Sequence, residues 1–195
     1  MTQTPRPSFF RAWLDAPFVT GGIQPSSPWL VSAMVNSVRV RTAKVVVELG
    51  AGTGAITRAI LAALGPEGRL ISFETNPDFV EWLKQDIRDP RLQLIPQSAA
   101  TLRSVLDSLE IPLVDCILSG VPLQALPPPV TQQILEDVRA SMGPRSQFVA
   151  FQYTPKQEAV LRRHFPVVQL VRRVWLNIPP SRVYRCELGP EAAGR

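Results

Sequence analysis

The sequence is poor in residues that staple or metallate small proteins. It has only two cysteines, Cys116 and Cys186, in 195 residues. Both fall in apolar, strand-like stretches, are too few for a disulfide framework, and read as small core residues. The single histidine, His164, has no cysteine or histidine at metal-ligand spacing, so no metal site is expected. No apolar run is long enough to span a bilayer, and the N-terminus lacks the continuous apolar core of a secretory leader, so a cytoplasmic protein is expected. Internal repeats and low-complexity tracts are missing too. With 45% hydrophobic and 19% charged residues, the composition is that of one ordinary globular domain.

Acidic charge is scarce at both ends. The net charge of +5 divides into +4 over residues 1–44, −4 over residues 45–155 and +5 over residues 156–195. Basic ends around an acidic middle suit a polyanionic partner, either nucleic acid or an anionic membrane, although scattered surface charge gives the same totals.

From Val45 onward apolar runs alternate with amphipathic stretches, the signature of βαβ units and a parallel sheet. Strands are expected at Val45–Leu49, Leu70–Glu74, Leu92–Ile95, Val114–Ser119 and Gln147–Gln152. Helices are expected at Ala55–Leu64, Pro77–Arg88, Ala100–Ser108, Val130–Ser141 and Gln157–Arg163. Ser27-Pro28 is an N-cap with proline at the first helical position, opening a helix to about Val38. Ser8–Leu14 reads as two helical turns before a loop broken by Pro17, Gly21, Gly22 and Pro25. Residues 1–27 therefore read as a separate helix and loop ahead of a domain over 28–195. Val167–Trp175 and Arg182–Leu188, joined by Asn177–Ser181, close the chain as an antiparallel hairpin. The whole is a Rossmann-like α/β fold with a seven-stranded, mostly parallel sheet, an antiparallel terminal hairpin and helices on both faces. That pattern is the one of class I S-adenosylmethionine (SAM)-dependent methyltransferases; in a dinucleotide dehydrogenase the sixth strand is parallel.

Glu48-Leu49-Gly50-Ala51-Gly52-Thr53-Gly54 sits where a strand ends and a helix begins. Glycines there permit a tight turn and let a ligand lie against bare backbone, and Gly50, Gly52 and Gly54 are the expected cradle for SAM. A carboxylate at Glu48 can hold the ammonium of the methionine moiety. Glu74, at the end of the second strand, is placed to accept the ribose hydroxyls, as acidic residues do in dinucleotide sites. No Gly-Lys-Ser/Thr occurs, which excludes a P-loop. Gln97 or Ser98 can meet the adenine amine or cap the following helix. Asn76 can pack near the adenine or serve as the turn residue before Pro77.

Methyl transfer is an in-line displacement that requires an aligned nucleophile and exclusion of water. In this fold the acceptor site follows the fourth strand, at Ser119-Gly120-Val121-Pro122-Leu123, whose backbone carbonyls can orient an amine. The Asn/Asp-Pro-Pro-Tyr motif of many nucleic-acid and protein N-methyltransferases is missing here. Ser119 and Gly120 are therefore candidates for the catalytic loop, with Ser119 also near the cofactor, and Val121 and Pro122 for the acceptor wall. Tyr153, ending the fifth strand, can stabilise a methylated ammonium by its ring and orient the amine by its hydroxyl. Asn177, Arg182 and Tyr184 are weaker acceptor candidates, and Arg172, Arg173 and Arg182 are alternatives for the phosphate of the acceptor that the resemblance set out next implies.

Five blocks together resemble the bacterial phospholipid N-methyltransferases. They are Gly22–Ser27, Val47–Gly54, Ile117–Leu123, Phe148–Tyr153 and Trp175–Tyr184, and the resemblance extends over about residues 8–188. The cofactor loop is generic; the Ser-Gly-Val-Pro-Leu, Gln-Tyr and Asn-x-Pro-Pro blocks discriminate. Ribosomal RNA adenine dimethylases are also similar, but their Asn-Leu-Pro-Tyr-type motif and added C-terminal domain are missing. Ala51 stands where the family commonly has proline, and Gln97-Ser98 where it commonly has Gly-Asp, which bears on the adenine contact. The resemblance implies transfer of methyl groups from SAM to phosphatidylethanolamine, towards phosphatidylcholine, with S-adenosylhomocysteine (SAH) as product. It implies a membrane-contacting N-terminal helix bearing Phe9, Phe10, Arg11, Trp13 and Leu14, hence a peripheral protein of the inner membrane with an anionic lipid surface, and not nucleic acid, as its partner. A helix packed on the protein's own core is the other reading of that segment. RNA or small-molecule methylation on the same fold, and SAM binding at a membrane without turnover, are the alternative functions. The number of methyl groups added and the oligomeric state are left open.

Overall fold

The computed structural model describes residues 26–121, 123 and 126–189. The expected helix at Ser8–Leu14, and with it Phe9, Phe10, Arg11, Trp13 and Leu14, lies outside the described residues, as does Pro122.

Seven strands form one sheet in the order β3-β2-β1-β4-β5-β7-β6. They are β1 (Val45–Leu49), β2 (Arg69–Phe73), β3 (Leu92–Ile95), β4 (Val114–Ser119), β5 (Met142–Gln152), β6 (Val167–Val174) and β7 (Ser181–Glu187). The first five pair in parallel, while β7 runs antiparallel to both β5 and β6. β1 lies inside the sheet, between β2 and β4, because its valines are apolar on both faces of the pleat, and Val46, Val47 and Leu49 are wholly buried. The register brings the C-terminal ends of β1, β2, β4 and β5, the end of β6 and the start of β7 to one edge of the sheet.

Helices are α1 (Pro28–Val35), α2 (Ala55–Ala63), α3 (Pro77–Asp86), α4 (Leu102–Ser108), α5 (Pro128–Ala140) and α6 (Lys156–His164). One core lies between one sheet face and α4, α5 and α6, built from Val47, Ile117, Phe148, Leu106, Leu135 and Leu161 among others. The other lies under α1 and α2, with Val46, Leu118, Phe151, Met34 and Ile60. Side chains alternate between these cores along each strand, so the face on which a site residue lies can be read from its position. Burial in these layers also settles the cysteines. Cys116 and Cys186 are free and buried, and burial pushes both thiols up to about 12.

Three elements differ from the sequence expectation. α1 stops at Val35 and the chain continues through a 3-10 turn at Val40–Thr42. The segment expected to start a helix at Ala100 begins as a 3-10 turn, Ala99–Thr101, capped by Ser98. β5 begins at Met142, five residues earlier than expected, because its first part pairs with β4 across a register shift between Val114 and Cys116. Gly143 and Pro144 in that stretch hide the strand from propensity. Among the described residues, no helix is long and apolar enough to cross a membrane.

Candidate active site

The turn after β1 is held in place by its neighbours. Gly50 and Ala51 donate their amides to the Phe73 carbonyl, each at 2.9 Å, tying the loop to the end of β2. Gly50, Gly52 and Gly54 all have positive φ (81°, 52° and 79°), a region where a Cβ is strained. Gly54 is also tightly packed: a Cβ there would lie 2.5 Å from Leu83 Cδ2. A Cβ on Gly52 would meet nothing within 4 Å, so its bare backbone faces open space, as a ligand cradle requires.

Glu74 locks this turn. Its Oε2 accepts the Gly52 amide at 2.7 Å and its Oε1 the Asn76 amide at 2.8 Å. Asn76 itself caps α3, with Oδ1 accepting the Asp78 amide at 2.9 Å, so its side chain has the turn role of the two open to it. Ser98 likewise accepts the Ala100 amide at 3.2 Å, and Gln97 Oε1 accepts the Thr101 hydroxyl at 3.1 Å. Both are thus turned toward the helix start.

Glu48 lies under the loop rather than on it. It is fully buried on the α2 face of β1, with Oε2 accepting the Thr57 hydroxyl at 2.7 Å and the Ser72 hydroxyl at 2.6 Å. Its Oε1 has no hydrogen-bond partner among the described residues. Burial, against the pull of these two hydroxyls and with a push from the nearby Glu74 charge, raises its carboxyl to about 7. A buried carboxylate with one free oxygen has the chemistry that a cationic ligand satisfies.

The loop after β4 abuts the loop after β1. Gly120 donates its amide to the Leu49 carbonyl at 2.8 Å, and a Cβ on Gly50 would lie 2.7 Å from Val121 Cγ2. Ser119 is wholly buried and its hydroxyl donates to the Val121 carbonyl at 3.2 Å, so the side chain braces the loop. Ser119 faces the core of α4, α5 and α6, and pairs with Ala150 of β5.

One pair further along β5 on that face is Gln152, a residue that sequence reading passed over. It is completely buried, and neither its Oε1 nor its Nε2 has a hydrogen-bond partner among the described residues. A buried carboxamide without partners is costly unless something else engages it. Only its place in the Phe-Gln-Tyr block signalled it in the sequence. Across the strand it pairs with Arg182, which is half-buried and donates to the Tyr153 carbonyl at 3.5 Å. Register thus brings Arg182 to the edge where β4 and β5 end, half-buried, while Arg172 and Arg173 of β6, the latter paired with Arg182, are exposed.

Tyr153 is half-buried on the opposite face, its ring edge-on to Phe151 at 5.5 Å, and burial raises its phenol above the usual range. Two further acceptor candidates are bonded within the chain itself. Tyr184 is 1% exposed within the core, where its hydroxyl meets Glu158, so its ring is a packing group. Asn177 is buried and bonded to the chain itself: Nδ2 donates to Pro179 O and Ser181 Oγ, both at 2.9 Å, and Oδ1 accepts the Ser27 amide at 3.1 Å. Its side chain shapes the β6–β7 loop and fastens it to the start of α1.

This loop, sheet and strand order define a methyltransferase. The methyltransferase-domain family model matches residues 46–145, and the chain belongs to the class I SAM-dependent methyltransferases. It is 31% identical over 166 residues to the ornithine lipid N-methyltransferase of Singulisphaera acidiphila, covering 84% of this chain and 86% of that protein. It is 34% identical over 91 residues to the ribosomal RNA small subunit methyltransferase H of Nitrosomonas europaea, covering 47% of this chain and 28% of that protein. The fold is similar to human methyltransferase-like protein 13 in complex with SAH (TM-score 0.65, 18% identity, 83% of this chain and 81% of that one). It is equally similar to the 1,6-didemethyltoxoflavin-N1-methyltransferase of Burkholderia thailandensis (TM-score 0.64, 16% identity, 96% and 93%). The methyl donor of this enzyme is SAM.

Proposed function

We propose that the protein methylates the amino group of a membrane lipid headgroup, with phosphatidylethanolamine as the first substrate to test. The observation that carries this reading is coverage. The relative that spans 86% of its own length is named for an amine lipid, while the ribosomal RNA enzyme is matched over 28% of its length. The five sequence blocks that resemble phospholipid N-methyltransferases support the same class. The ornithine lipid relative makes that headgroup the second candidate.

SAM supplies an electrophilic methyl group on a sulfonium centre. The Gly52 backbone would lie against it, the Glu74 carboxylate would accept its ribose hydroxyls and the free oxygen of Glu48 would meet its ammonium. On the acceptor side the incoming amine must be unprotonated. Removal from water lowers an ammonium pKa and favours that form. Gln152 Oε1 and the Val121 carbonyl accept the amine N–H groups and aim the lone pair, with Ser119 fixing that carbonyl. The Tyr153 phenol, kept neutral by burial, acts as a hydrogen-bond donor and its ring as a cation partner. Arg182 is the candidate for the lipid phosphate.

The test is radiolabelled methyl transfer from SAM into vesicles of phosphatidylethanolamine with an anionic lipid, with ornithine lipid vesicles and total RNA run in parallel. Label in mono-, di- or trimethylated phosphatidylethanolamine is the expected result. Label only in ornithine lipid moves the substrate to that headgroup, and label only in RNA overturns the lipid reading.

A further inference from the structure

The largest exposed apolar side chains are not scattered. Among the described residues six stand out, and four of them, Trp29 (57% exposed), Trp175 (71%), Leu176 (63%) and Ile178 (68%), belong to the β6–β7 loop and the start of α1. The other two, Leu113 and Val167, lie at the starts of β4 and β6, on the opposite edge of the sheet. The loop and α1 act as one platform, because Asn177 accepts the Ser27 amide and Trp29, Trp175 and Leu176 line a common groove of about 690 Å³. Val174 pairs with Ser181 and Gln152 with Arg182, which puts this platform on the edge that carries the ends of β1, β4 and β5.

Charge defines what covers it. Arg172 and Arg173 are exposed in the same groove, and their guanidinium groups make no hydrogen bond or ion pair among the described residues. No aspartate or glutamate occurs in residues 26–47 or 159–186, the segments that build the platform. A second copy of the chain would set arginines against arginines. The preceding segment, residues 1–25, offers Arg6 and Arg11 against Asp15 and is no better a complement. Aromatic and aliphatic tips backed by unopposed arginines fit the headgroup boundary of an anionic bilayer.

We infer that Trp175, Leu176, Ile178 and Trp29 form a membrane-docking platform that seats on anionic lipid with Arg172 and Arg173 at the phosphates. Seated this way, the platform turns the cofactor and acceptor loops toward the bilayer. The orientation deepens the lipid-methyltransferase reading, whereas docking itself requires no methyl transfer.

The experiment uses the full chain and vesicles of phosphatidylglycerol and phosphatidylcholine, which contain no amine acceptor for the proposed reaction. An Ile178→Cys variant is labelled with an environment-sensitive fluorophore; Cys116 and Cys186 are buried and do not compete. Blue-shifted emission on these vesicles, reversed by high salt, is the expected result. Co-sedimentation of Arg172→Glu/Arg173→Glu should weaken by at least about 30-fold, since each lost basic contact costs about fivefold. Trp175→Ser/Leu176→Ser/Ile178→Ser should also release the protein, while SAM affinity and melting temperature stay near wild type as the control for folding. An unshifted fluorophore on vesicles that the protein binds, or wild-type binding by both variants, overturns the platform. Methyl transfer by wild type into detergent-dispersed phosphatidylethanolamine is scored separately, so a failed substrate reading leaves the docking result interpretable.

Discussion

A Cβ on Gly120 would sit 2.5 Å from the carbonyl oxygen of Gly50, so the loop after β4 and the glycine turn after β1 meet backbone to backbone. The opposing atom is main chain and cannot swing aside, and the Gly120 amide is bonded to Leu49 O at 2.8 Å. Gly120→Ala therefore has to part the two loops. The expected outcome is a loss of about 1–3 kcal/mol in stability, as for other overpacked sites, with a fall in SAM affinity of at least about tenfold. Thermal melts and calorimetric titration with SAM measure both; wild-type affinity would show that the contact is dispensable.

Glu74→Ala removes the acceptor of the Gly52 and Asn76 amides together with the proposed ribose contact. Gly52 lies on the open side of the loop, where water can replace the lost partner, so stability should change by less than about 1 kcal/mol. SAM affinity should fall by at least about tenfold. Unchanged affinity takes Glu74 out of the cofactor site.

Glu48 makes the cofactor-free protein sensitive to pH. Its carboxyl is raised from 4.5 to about 7 in the folded chain, so the folded state holds the proton more tightly than the unfolded state between those values. Stability contributed by this group is complete below about pH 4.5, falls as pH rises toward 7, and is absent above. Glu48→Gln should therefore stabilise the protein near pH 8 by roughly 3 kcal/mol and leave it little changed near pH 4.5. The same variant should bind SAM more weakly. Denaturant unfolding at the two pH values checks the sign, and equal stabilisation at both would exclude titration as the cause.

Gln152→Leu separates a fold role from an acceptor role. Replacing an unpartnered buried carboxamide by an apolar side chain of similar size should leave stability unchanged or raise it by about 1 kcal/mol. Activity on the amine substrate should drop by about 10–100-fold in kcat/KM, with SAM affinity preserved. A less stable protein with full activity would assign Gln152 to packing alone.

Tyr153→Phe keeps the ring against Phe151 and deletes only the hydroxyl. Turnover should slow by about 10-fold or more while SAM affinity stays within about twofold. Full activity would leave only the ring with a role. Burial raises the phenol, so the rate should show no rise near neutral pH from a tyrosinate acting as base.

How much was legible in the sequence varies with the range of the interaction. The β-branched run Val45–Leu49, the glycines behind it and the Ser27-Pro28 cap act through neighbouring residues, and the observed elements follow them closely. β5 was cut short because Gly143 and Pro144 lack strand propensity, and pairing with β4 overrides propensity there. Tyr184 and Asn177 are acceptor candidates in the sequence through the Trp175–Tyr184 block, which says nothing of their surroundings. The core and the β6–β7 loop claim them through contacts with residues 26 and 150 positions away. Gln152 was missed for the opposite reason: nothing local marks a glutamine in a strand as unpartnered.

By itself, then, the sequence determined the strand and helix alternation, the glycine turn, the acidic residues flanking it and the basic ends, since short-range sterics and hydropathy set all of these. Only the tertiary structure decided that Glu48 lies beneath the loop with its carboxyl raised to about 7, that Gln152 stands opposite Arg182, and that the exposed tryptophans share an edge with the glycine turn after β1. Burial, cross-strand register and the end of the sheet at which a loop emerges depend on strands far apart in the chain. They are settled only when the layers pack.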